Sequence, residues 1–581
     1  MRIKGLVLSF LLLPLLSCAG RGDCLWLDAD VPLSGTPAYA YRILDHWDNL
    51  DDSVERGYAG PSIWGWTEAE LPVQRIDLYG KLNAKLGING IVLNNVNAAP
   101  EILDAGHLRR VAAIADILRP HGIRVYLSVN FASPMALDGL PTADPLDCSV
   151  MAWWAGKVDE IYAQVPDFGG FLVKASSEGQ PGPQDFGRTH AEGANMLADA
   201  LAPHGGIVMW RAFVYAPGSP DRARQAYDEF VPLDGQFRQN VSIQVKNGPI
   251  DFQPREPFSP LFGAMPATSL SPELQITMEY LGQAFSLVFL APLWEECLKA
   301  DTYRDGPGST VAAVTSSARL GAIAGVANVG QSPDWCGNLF NQANWYAFGR
   351  LAWNPTLSSA QIAEEWLRIT FPKPLLVSQR RFTREFIQPM KELMLASREA
   401  CVNYMMPLGL HHLFAWEHHF GPDPGCNIPG AREDWMPSYY HKAGPDGIGF
   451  DRTVATGSGA TAQYNPPLSQ RFESLETCPQ ELLLWFHHLP WDYEMPSGLT
   501  LWEELCRHYE EGVDQVTHFQ EVWAGMKPFV DARRHAQVSA LLRQNAADAA
   551  LWRDTCLQYF SQFCRGDVTR THDPLVPNQM R

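Results

Sequence analysis

The chain has 581 residues, a net charge of -19 and an isoelectric point near 5.3. Hydrophobic residues make up 46% of it and charged residues 19%. These fractions exclude a disordered, collagen-like or polytopic membrane chain and leave room for a large domain plus another. The acidic balance, with no run of Lys and Arg, predicts that nucleic acid is not a partner.

The first residues have the pattern of an export signal. Arg2 and Lys4 precede an apolar run over residues 6–16, which ends just before Cys18. The positive charge at the start, the length of the apolar run and the small residues at its end predict a signal peptide over residues 1–18. A cysteine directly after Leu-Leu-Ser resembles a bacterial lipobox, so Cys18 is a candidate for lipidation; the alternative is a plain signal peptide. We therefore expect an exported protein, periplasmic or held at a membrane as a lipoprotein.

From residue 40 to residue 345 the chain repeats a short apolar, β-branched-rich run followed by helix-like sequence. Such runs are typical of parallel strands that helices cover on both faces. The repeat predicts an α/β fold, a (β/α)₈ TIM barrel over residues 40–345, after a short N-terminal stretch, 19–39. An open doubly wound sheet would need a Gly-rich phosphate loop after its first strand, where this chain has the string DHWD. The predicted strands are 41–47, 88–96, 123–131, 171–178, 207–214, 241–251, 274–279 and 323–329.

After residue 345 the sequence changes to helical segments rich in Trp, Leu and Glu. They predict a mainly α-helical C-terminal domain over residues 346–575. A loop-rich stretch, roughly residues 405–467, separates its helices and is heavy in Gly, Pro, His and Trp. Long ordered loops beside a barrel are usually functional or interfacial. The predicted helices include 359–371, 382–401, 479–488 and 501–525.

Charged residues end four consecutive predicted strands, the place where barrel enzymes collect their catalytic groups. They are Lys174 and Glu178 on the fourth strand, Arg211 on the fifth, Lys246 and Asp251 on the sixth, and Glu279 on the seventh. Lys174 and Glu178 are an even number of residues apart, so on an extended strand both would face the mouth of the barrel. Gly248 and Pro249 bend the chain, which lets Asp251 return toward the centre.

Three carboxylates and three cations at one mouth suit the hydrolysis of an acidic glycoside. Cleavage needs one carboxylic acid that stays protonated and one ionised carboxylate, and the three carboxylates can supply both roles. The cations would bind a sugar carboxylate, and the Arg211 guanidinium can donate two parallel hydrogen bonds to it. The alternative is that these charges only pair with one another and complete the rim of the barrel.

Several strings closely resemble glycoside hydrolase family 67, the α-glucuronidases. The similarity runs from about Ala40 to beyond Trp552 and includes the loop 418–422 and the run 478–482. Two departures stand out: Ser176 occupies a position where the family often has Asn, and most of the family's N-terminal β-sandwich is expected to be missing. The matching strings are residues 45–60, 89–97, 174–183 and 246–256.

The resemblance implies an inverting enzyme that hydrolyses the α-1,2 bond between (4-O-methyl-)glucuronic acid and the terminal xylose of glucuronoxylan-derived oligosaccharides. When the family's functional roles are transferred to the matching positions, Glu178 is the general acid and Asp251 and Glu279 activate the water. We expect a partly apolar environment to raise the pKa of Glu178. We expect a carboxyl separation of roughly 6.5–9.5 Å, which leaves room for that water. The residues implied in substrate binding are Lys174, Arg211 and Lys246 around the sugar carboxylate, and Trp47 and Val96 as walls of the pocket.

The resemblance also implies a homodimer formed through the C-terminal domain. We predict no cofactor and no metal, because the histidine pairs at 411–412, 418–419 and 487–488 lack a His-Glu-x-x-His motif or an accompanying carboxylate set. Two rival functions stay open: an exo-acting hydrolase of different uronides, and a surface-held sugar-binding protein that has lost turnover.

Overall fold

A computed structural model describes residues 26–213, 219–416 and 419–564. The predicted signal peptide, Cys18, the start of the stretch 19–39 and the end of the predicted helical domain lie outside these residues. Within them, no helix combines the length and the apolar character needed to cross a membrane. Export and lipidation stay predictions.

Eight parallel strands close into a barrel in chain order, with β8 paired to β1 from Tyr41↔Ala322 to Asp45↔Val326. The predicted (β/α)₈ barrel is confirmed. Its strands are short and almost wholly buried, as their continuous apolar sequences require. The strands are β1 Tyr41–Asp45, β2 Gly90–Leu93, β3 Arg124–Ser128, β4 Gly170–Val173, β5 Ile207–Arg211, β6 Val241–Lys246, β7 Ser269–Gln275 and β8 Ala322–Val326.

Helices follow every strand and cover the outside of the barrel. Helix α10 leaves the barrel after β8 and contains the predicted domain boundary at residue 345, which stays a prediction. The helices of this region are α1 Val73–Lys85, α2 Ala105–Leu118, α3 Ser133–Asp138, α4 Cys148–Gln164, α5 His190–Leu201, α6 Arg222–Phe230, α7 Leu261–Ala264, α8 Ala291–Lys299, α9 Val311–Ser316 and α10 Asn341–Trp353.

Three strand ends differ from the prediction in ways that matter for the site. Strand β6 ends at Lys246, so Asp251 lies in the following loop. Strand β4 ends at Val173, so Glu178 lies in the following loop. Strand β7 begins five residues earlier than predicted and ends at Gln275, which leaves Glu279 in a loop as well. The early part of β7 was missed because Pro272 and Glu273 are unusual in a buried strand.

The region after the barrel is mainly helical, as predicted. Helix α17 has the predicted bounds, and its start is fixed by a capping box in which Thr500 and Glu503 satisfy each other's backbone N–H groups. The predicted helix 479–488 is only a 3₁₀ turn plus the short α16. The helices are α11 Ser359–Thr370, α12 Gln379–Phe382, α13 Gln388–Met405, α14 Pro437–His441, α15 Leu468–Glu473, α16 Leu483–Phe486, α17 Leu501–Gly525 and α18 Ala532–Ser561.

One hydrophobic core runs from the barrel into the helical region. Trp523 of α17 packs edge-to-face on Phe340 beside the barrel, with ring centroids 5.9 Å apart. Trp552 of α18 packs in the same way on Phe414 of the 405–467 stretch, at 5.3 Å. These contacts fix the loop-rich stretch over the carboxyl ends of the strands, where the site is formed.

Candidate active site

A cavity of about 200 Å³ lies between the mouth of the barrel and the 405–467 stretch. Glu178 and Asp251 both line it, so the loops after β4 and β6 converge there as predicted. The 405–467 stretch supplies more than half of the lining, which makes that stretch part of the site. The lining residues are Arg56, Glu178, Arg222, Asp251, Tyr280, His412, Phe414, Ala415, Trp416, His419, Cys426, Trp435 and Pro437.

Asp251 returns toward the centre of the mouth, as the Gly-Pro bend predicted. Lys246 Nζ donates to Asp251 Oδ1 at 2.7 Å, and the Tyr280 hydroxyl donates to Oδ2 at 2.6 Å. Burial alone would raise the pKa of Asp251, but the Lys246 ammonium and the Tyr280 hydroxyl together hold it below its ordinary value. Asp251 is therefore an ionised carboxylate, which is the protonation state that a general base needs.

Glu279 is held by three donors from three parts of the chain. Arg56 Nε donates to Oε1 at 2.8 Å, His419 Nδ1 donates to the same oxygen at 2.7 Å, and Gln275 Nε2 donates to Oε2 at 2.9 Å. Glu279 follows Gln275 by four residues, so the end of β7 positions the loop that carries it. Its neighbour Tyr280 contacts Asp251, which links the two carboxylates through one short segment.

Lys174 and Glu178 meet, but not by the geometry predicted for an extended strand. The chain turns after β4, with Ser176 and Glu178 in the left-handed backbone region at φ 54° and 49°. This turn brings Glu178 Oε2 within 2.6 Å of the Lys174 ammonium, which also donates to Asn97 Oδ1 at 2.7 Å. The extended strand that was predicted to point both side chains into the mouth is therefore wrong, because β4 ends at Val173 and a turn follows it.

The expectation of a raised Glu178 pKa is also wrong. Loss of contact with water raises the pKa of Glu178, whose side chain is still 37% exposed, but the charge and hydrogen bond of Lys174, with a further contribution from Lys246, outweigh this effect and lower it. A general acid must carry a proton, so this protonation state is opposite to the one that the proposed role needs.

Arg211 lies at the end of β5 and is 2% exposed. Its Nε and Nη2 donate to Glu273 at 2.9 and 2.6 Å, so the bidentate fork that the sequence assigned to a sugar carboxylate is occupied by a residue of β7. Gln244 Nε2 bridges Glu273 and Asp45, at 3.0 and 2.6 Å. Burial and the charge of Glu273 raise the pKa of Asp45 to about 8. The role of Arg211 toward substrate stays a prediction.

The three predicted cations converge on one aromatic ring, Phe213. Lys246 Nζ lies 3.6 Å from the ring centroid, Lys174 Nζ 5.1 Å and Arg211 Cζ 5.3 Å. Favourable cation–π contacts offset part of the repulsion between these like charges. The cations therefore occupy one side of the mouth and are not scattered over separate surfaces.

The two predicted wall residues are both buried beside this cationic side. The Trp47 ring lies 5.5 Å from Arg211 Cζ. Val96 precedes Asn97, which accepts the hydrogen bond from Lys174. Their contact with a sugar stays a prediction.

A buried carboxyl group that the sequence did not single out supports the Asp251 loop. Glu256 accepts hydrogen bonds from the backbone N–H groups of Ile250 at 2.9 Å and Asp251 at 2.8 Å, and lies 3.0 Å from His411 Nε2. Burial raises the pKa of Glu256 to about 8. Glu256 is the last residue of the string 246–256, on which part of the family resemblance rests.

The other residues that sequence reasoning missed are Arg56, Tyr280 and His419. Each lay next to, or within, a string already singled out: Arg56 in 45–60, His419 in 418–422 and Tyr280 directly after Glu279. Among the described residues, no three His, Cys, Asp or Glu side chains are arranged to hold a metal ion. His411 and His419 instead contact carboxylates.

Comparison of the chain with models of protein families and comparison with known proteins both find the same family. Residues 28–335 match the model described as "Glycosyl hydrolase family 67 middle domain", and residues 336–572 match "Glycosyl hydrolase family 67 C-terminus". The chain is 42% identical over 545 residues to "Probable alpha-glucuronidase A" of Aspergillus clavatus, covering 92% of this chain and 63% of that protein. It is 41% identical over 564 residues to "Alpha-glucuronidase" of Hypocrea jecorina, covering 94% and 64%.

The chain thus spans about three fifths of the length of these relatives. A solved structure of a mutant O-GlcNAc hydrolase from Thermobaculum terrenum aligns with a TM-score of 0.37 and 8% identity, covering 90% of this chain and 84% of that one. A likeness that weak carries no argument about function.

Proposed function

The chain belongs to glycosyl hydrolase family 67, and from that premise we propose that it is an inverting α-glucuronidase. It would hydrolyse the α-1,2 bond between (4-O-methyl-)glucuronic acid and the terminal xylose of glucuronoxylan-derived xylo-oligosaccharides. The observation that carries this proposal is that Glu178 and Asp251 line one cavity, each paired with a buried lysine, while Glu279 pairs with the lining residue Arg56. The names of the relatives agree with it.

In the proposed mechanism the reaction is a single displacement. Water held by Asp251 and Glu279 attacks the anomeric carbon and gives a proton to Asp251, which is ionised in the ligand-free site. The bond from the anomeric carbon to the xylose oxygen breaks on the opposite face, and that oxygen takes a proton from Glu178. Tyr280 and Lys246 keep Asp251 ionised and in place, while Arg56 and His419 fix Glu279.

The shape of the cavity supports an exo-acting enzyme. Its volume of about 200 Å³ is below the roughly 300–1,000 Å³ of pockets that hold drug-sized ligands, which suits one sugar ring better than a chain interior. Trp416 and Trp435, with ring centroids 6.1 Å apart, line the cavity and offer apolar faces on which the xylose unit would stack. The uronate would then lie deeper, toward the cations.

The test is release of free glucuronic acid from aldouronic acids by the purified chain, with Glu178→Gln as the matched control. We expect release by the parent and a loss of at least about a hundredfold in the variant, because a positioned general acid contributes at least that much. Release only from pectic or glycosaminoglycan fragments would establish a different uronide hydrolase. Binding of aldouronic acids without release from any substrate would establish a sugar-binding protein.

Export, a lipid anchor at Cys18 and a homodimer through the helical region are also proposed. They rest on the N-terminal pattern and on the family resemblance. Radioactive palmitate should label the parent but not Cys18→Ser in a bacterial host, and sedimentation should give twice the mass of the mature chain. Equal labelling of both proteins would rule out the anchor, and a monomer at micromolar concentration would rule out a stable dimer.

A further inference from the structure

Lys174 is a buried ammonium group that contacts the proposed general acid, Glu178, and lies on the cationic side of the mouth. We propose that Lys174 is shared between Glu178 and the substrate, so that a bound sugar carboxylate releases Glu178 to take up the proton that it must donate. This inference rests on the proposed function. According to this inference, the carboxylate of the sugar is needed both for binding and for the protonation of Glu178.

The contacts of Lys174 make such sharing feasible. Its side chain is 3% exposed, and a buried ammonium needs a negative partner to remain charged. That partner is Glu178, at 2.6 Å, while a second N–H of the ammonium donates to Asn97 Oδ1 at 2.7 Å. An ammonium has three N–H donors, so Asn97 holds Lys174 in position while another donor is left for an incoming carboxylate.

The pairing of Glu178 with Lys174 favours a protonation state that is opposite to the one that a general acid needs, and sharing of Lys174 would remove this disagreement. The ion pair with Lys174 keeps Glu178 ionised, and Lys246 adds to the effect. An ionised Glu178 cannot protonate the departing xylose oxygen. The site is therefore set for substrate binding and not yet for bond cleavage.

A sugar carboxylate would change the balance of charge in two ways. It would compete with Glu178 for the Lys174 ammonium, and its own negative charge would repel the Glu178 carboxylate. Both effects favour the neutral acid, which forms when Glu178 takes one proton from solvent. A neutral sugar brings no such charge, so Glu178 would stay ionised and cleavage would be slow even if the sugar were bound.

An incoming anion would also change the pKa of other charged groups around the cavity, so the test must distinguish proton uptake by Glu178 from proton uptake by those groups. Lys246, at the end of β6, and Asp251, in the loop after it, act on Glu178, and Arg211 and Glu55 act on Lys174. The remaining groups that line the cavity are Arg56, Arg222, His412 and His419.

The experiment is isothermal titration of the full chain with glucuronic acid at pH 7, in two buffers with different ionisation enthalpies. The difference in heat gives the number of protons bound with the ligand. Glucuronic acid is already ionised at this pH, so we expect uptake of up to about one proton per site by the parent. Glu178→Gln should bind with no uptake, and glucose should cause none in either protein.

Two lysine variants, each lacking one positive charge, distinguish the specific role of Lys174 in proton uptake from the general effect of losing a cation. Lys174→Met removes the ammonium that Glu178 and the sugar carboxylate are proposed to share, so we expect weaker binding and most of the uptake lost, because binding no longer breaks an ion pair of Glu178. Lys246→Met removes a lysine that pairs with Asp251, so we expect weaker binding with the uptake retained.

Binding by the parent without proton uptake would overturn the inference, as would equal uptake by the parent and Glu178→Gln. These results differ from failure of the proposed function, which would appear as no binding of glucuronic acid and no release of it from aldouronic acids.

Discussion

Replacing Asp45 with Asn tests the buried charge network beneath the cavity. Asp45 ends β1 and has no exposed surface. Its Oδ2 accepts a hydrogen bond from Gln244 at 2.6 Å, and its Oδ1 has no hydrogen-bond partner. An Asn side chain has the same shape and can keep the bond from Gln244, so Asp45→Asn removes an ionisable group with little change in packing.

The expected effect depends on pH in a defined direction. The pKa of Asp45 rises from 3.8 to about 8 in the folded chain. Between these values the folded chain binds a proton that the unfolded chain has lost, so stability falls as pH rises, by up to about 1.4 kcal/mol per pH unit. From pH 5 to pH 7 the parent should therefore lose about 2–3 kcal/mol that the Asn variant keeps.

The assay is urea unfolding of the parent and Asp45→Asn at pH 5, 6, 7 and 8. The gap in unfolding free energy should widen steadily in favour of the variant up to pH 8. Asp492→Asn, at an exposed side chain, serves as the control and should run parallel to the parent. Parallel curves for Asp45→Asn and the parent would refute the argument, because they would mean that Asp45 ionises alike in both states.

Three further substitutions test contacts in the site. Tyr280→Phe removes a hydrogen bond to an ionised Asp251, worth about 1.5–3 kcal/mol, so kcat on aldouronic acids should fall roughly ten- to hundredfold with KM little changed; an unchanged kcat would exclude a role for that hydroxyl. Arg56→Ala removes a charged donor from Glu279 and should lower kcat about tenfold in steady-state assays, whereas a rise in KM alone would point to substrate binding. Glu256→Ala leaves two buried backbone N–H groups unpaired, at about 1–3 kcal/mol each, so thermal unfolding should begin at a lower temperature; an unshifted transition would show that water replaces the carboxylate.

The barrel was predictable because its strands are buried on both faces and so are apolar throughout. Strand β7 shows the limit of that signal. Its first residues include Pro272 and Glu273, and the polar side chain is buried only because Arg211 of β5 pairs with it inside the barrel. A pairing between residues 62 positions apart cannot be read from the local pattern of either segment.

The convergence of the charged groups was also predictable, since parallel strands of a barrel bring their carboxyl ends to one face. The detailed geometry was not. The contact of Lys174 with Glu178 comes from a left-handed turn after β4, and the protonation state of Glu178 follows from that contact. Sequence spacing could suggest that the two residues meet, but not which charge state the meeting favours.

The residues that were missed come mostly from segments joined only by tertiary packing. His419 and Trp435 reach the cavity because the packing of Trp552 on Phe414 holds the 405–467 stretch over the barrel. The sequence indicated that this stretch was functional or interfacial, but its composition does not specify which side chains face the barrel. Arg56 is similar: it lies after β1 and reaches Glu279 after β7.

The stereochemistry of the first product tests most directly whether Glu178 and Asp251 act on opposite faces of the sugar. Proton NMR during the first minutes of hydrolysis of an α-linked aldouronic acid reports the anomer of glucuronic acid before mutarotation mixes the two forms. We expect the β-anomer first, as attack by a water between separated carboxyl groups requires. The α-anomer first would mean retention through a covalent intermediate, and the roles assigned to Asp251 and Glu279 would then be wrong.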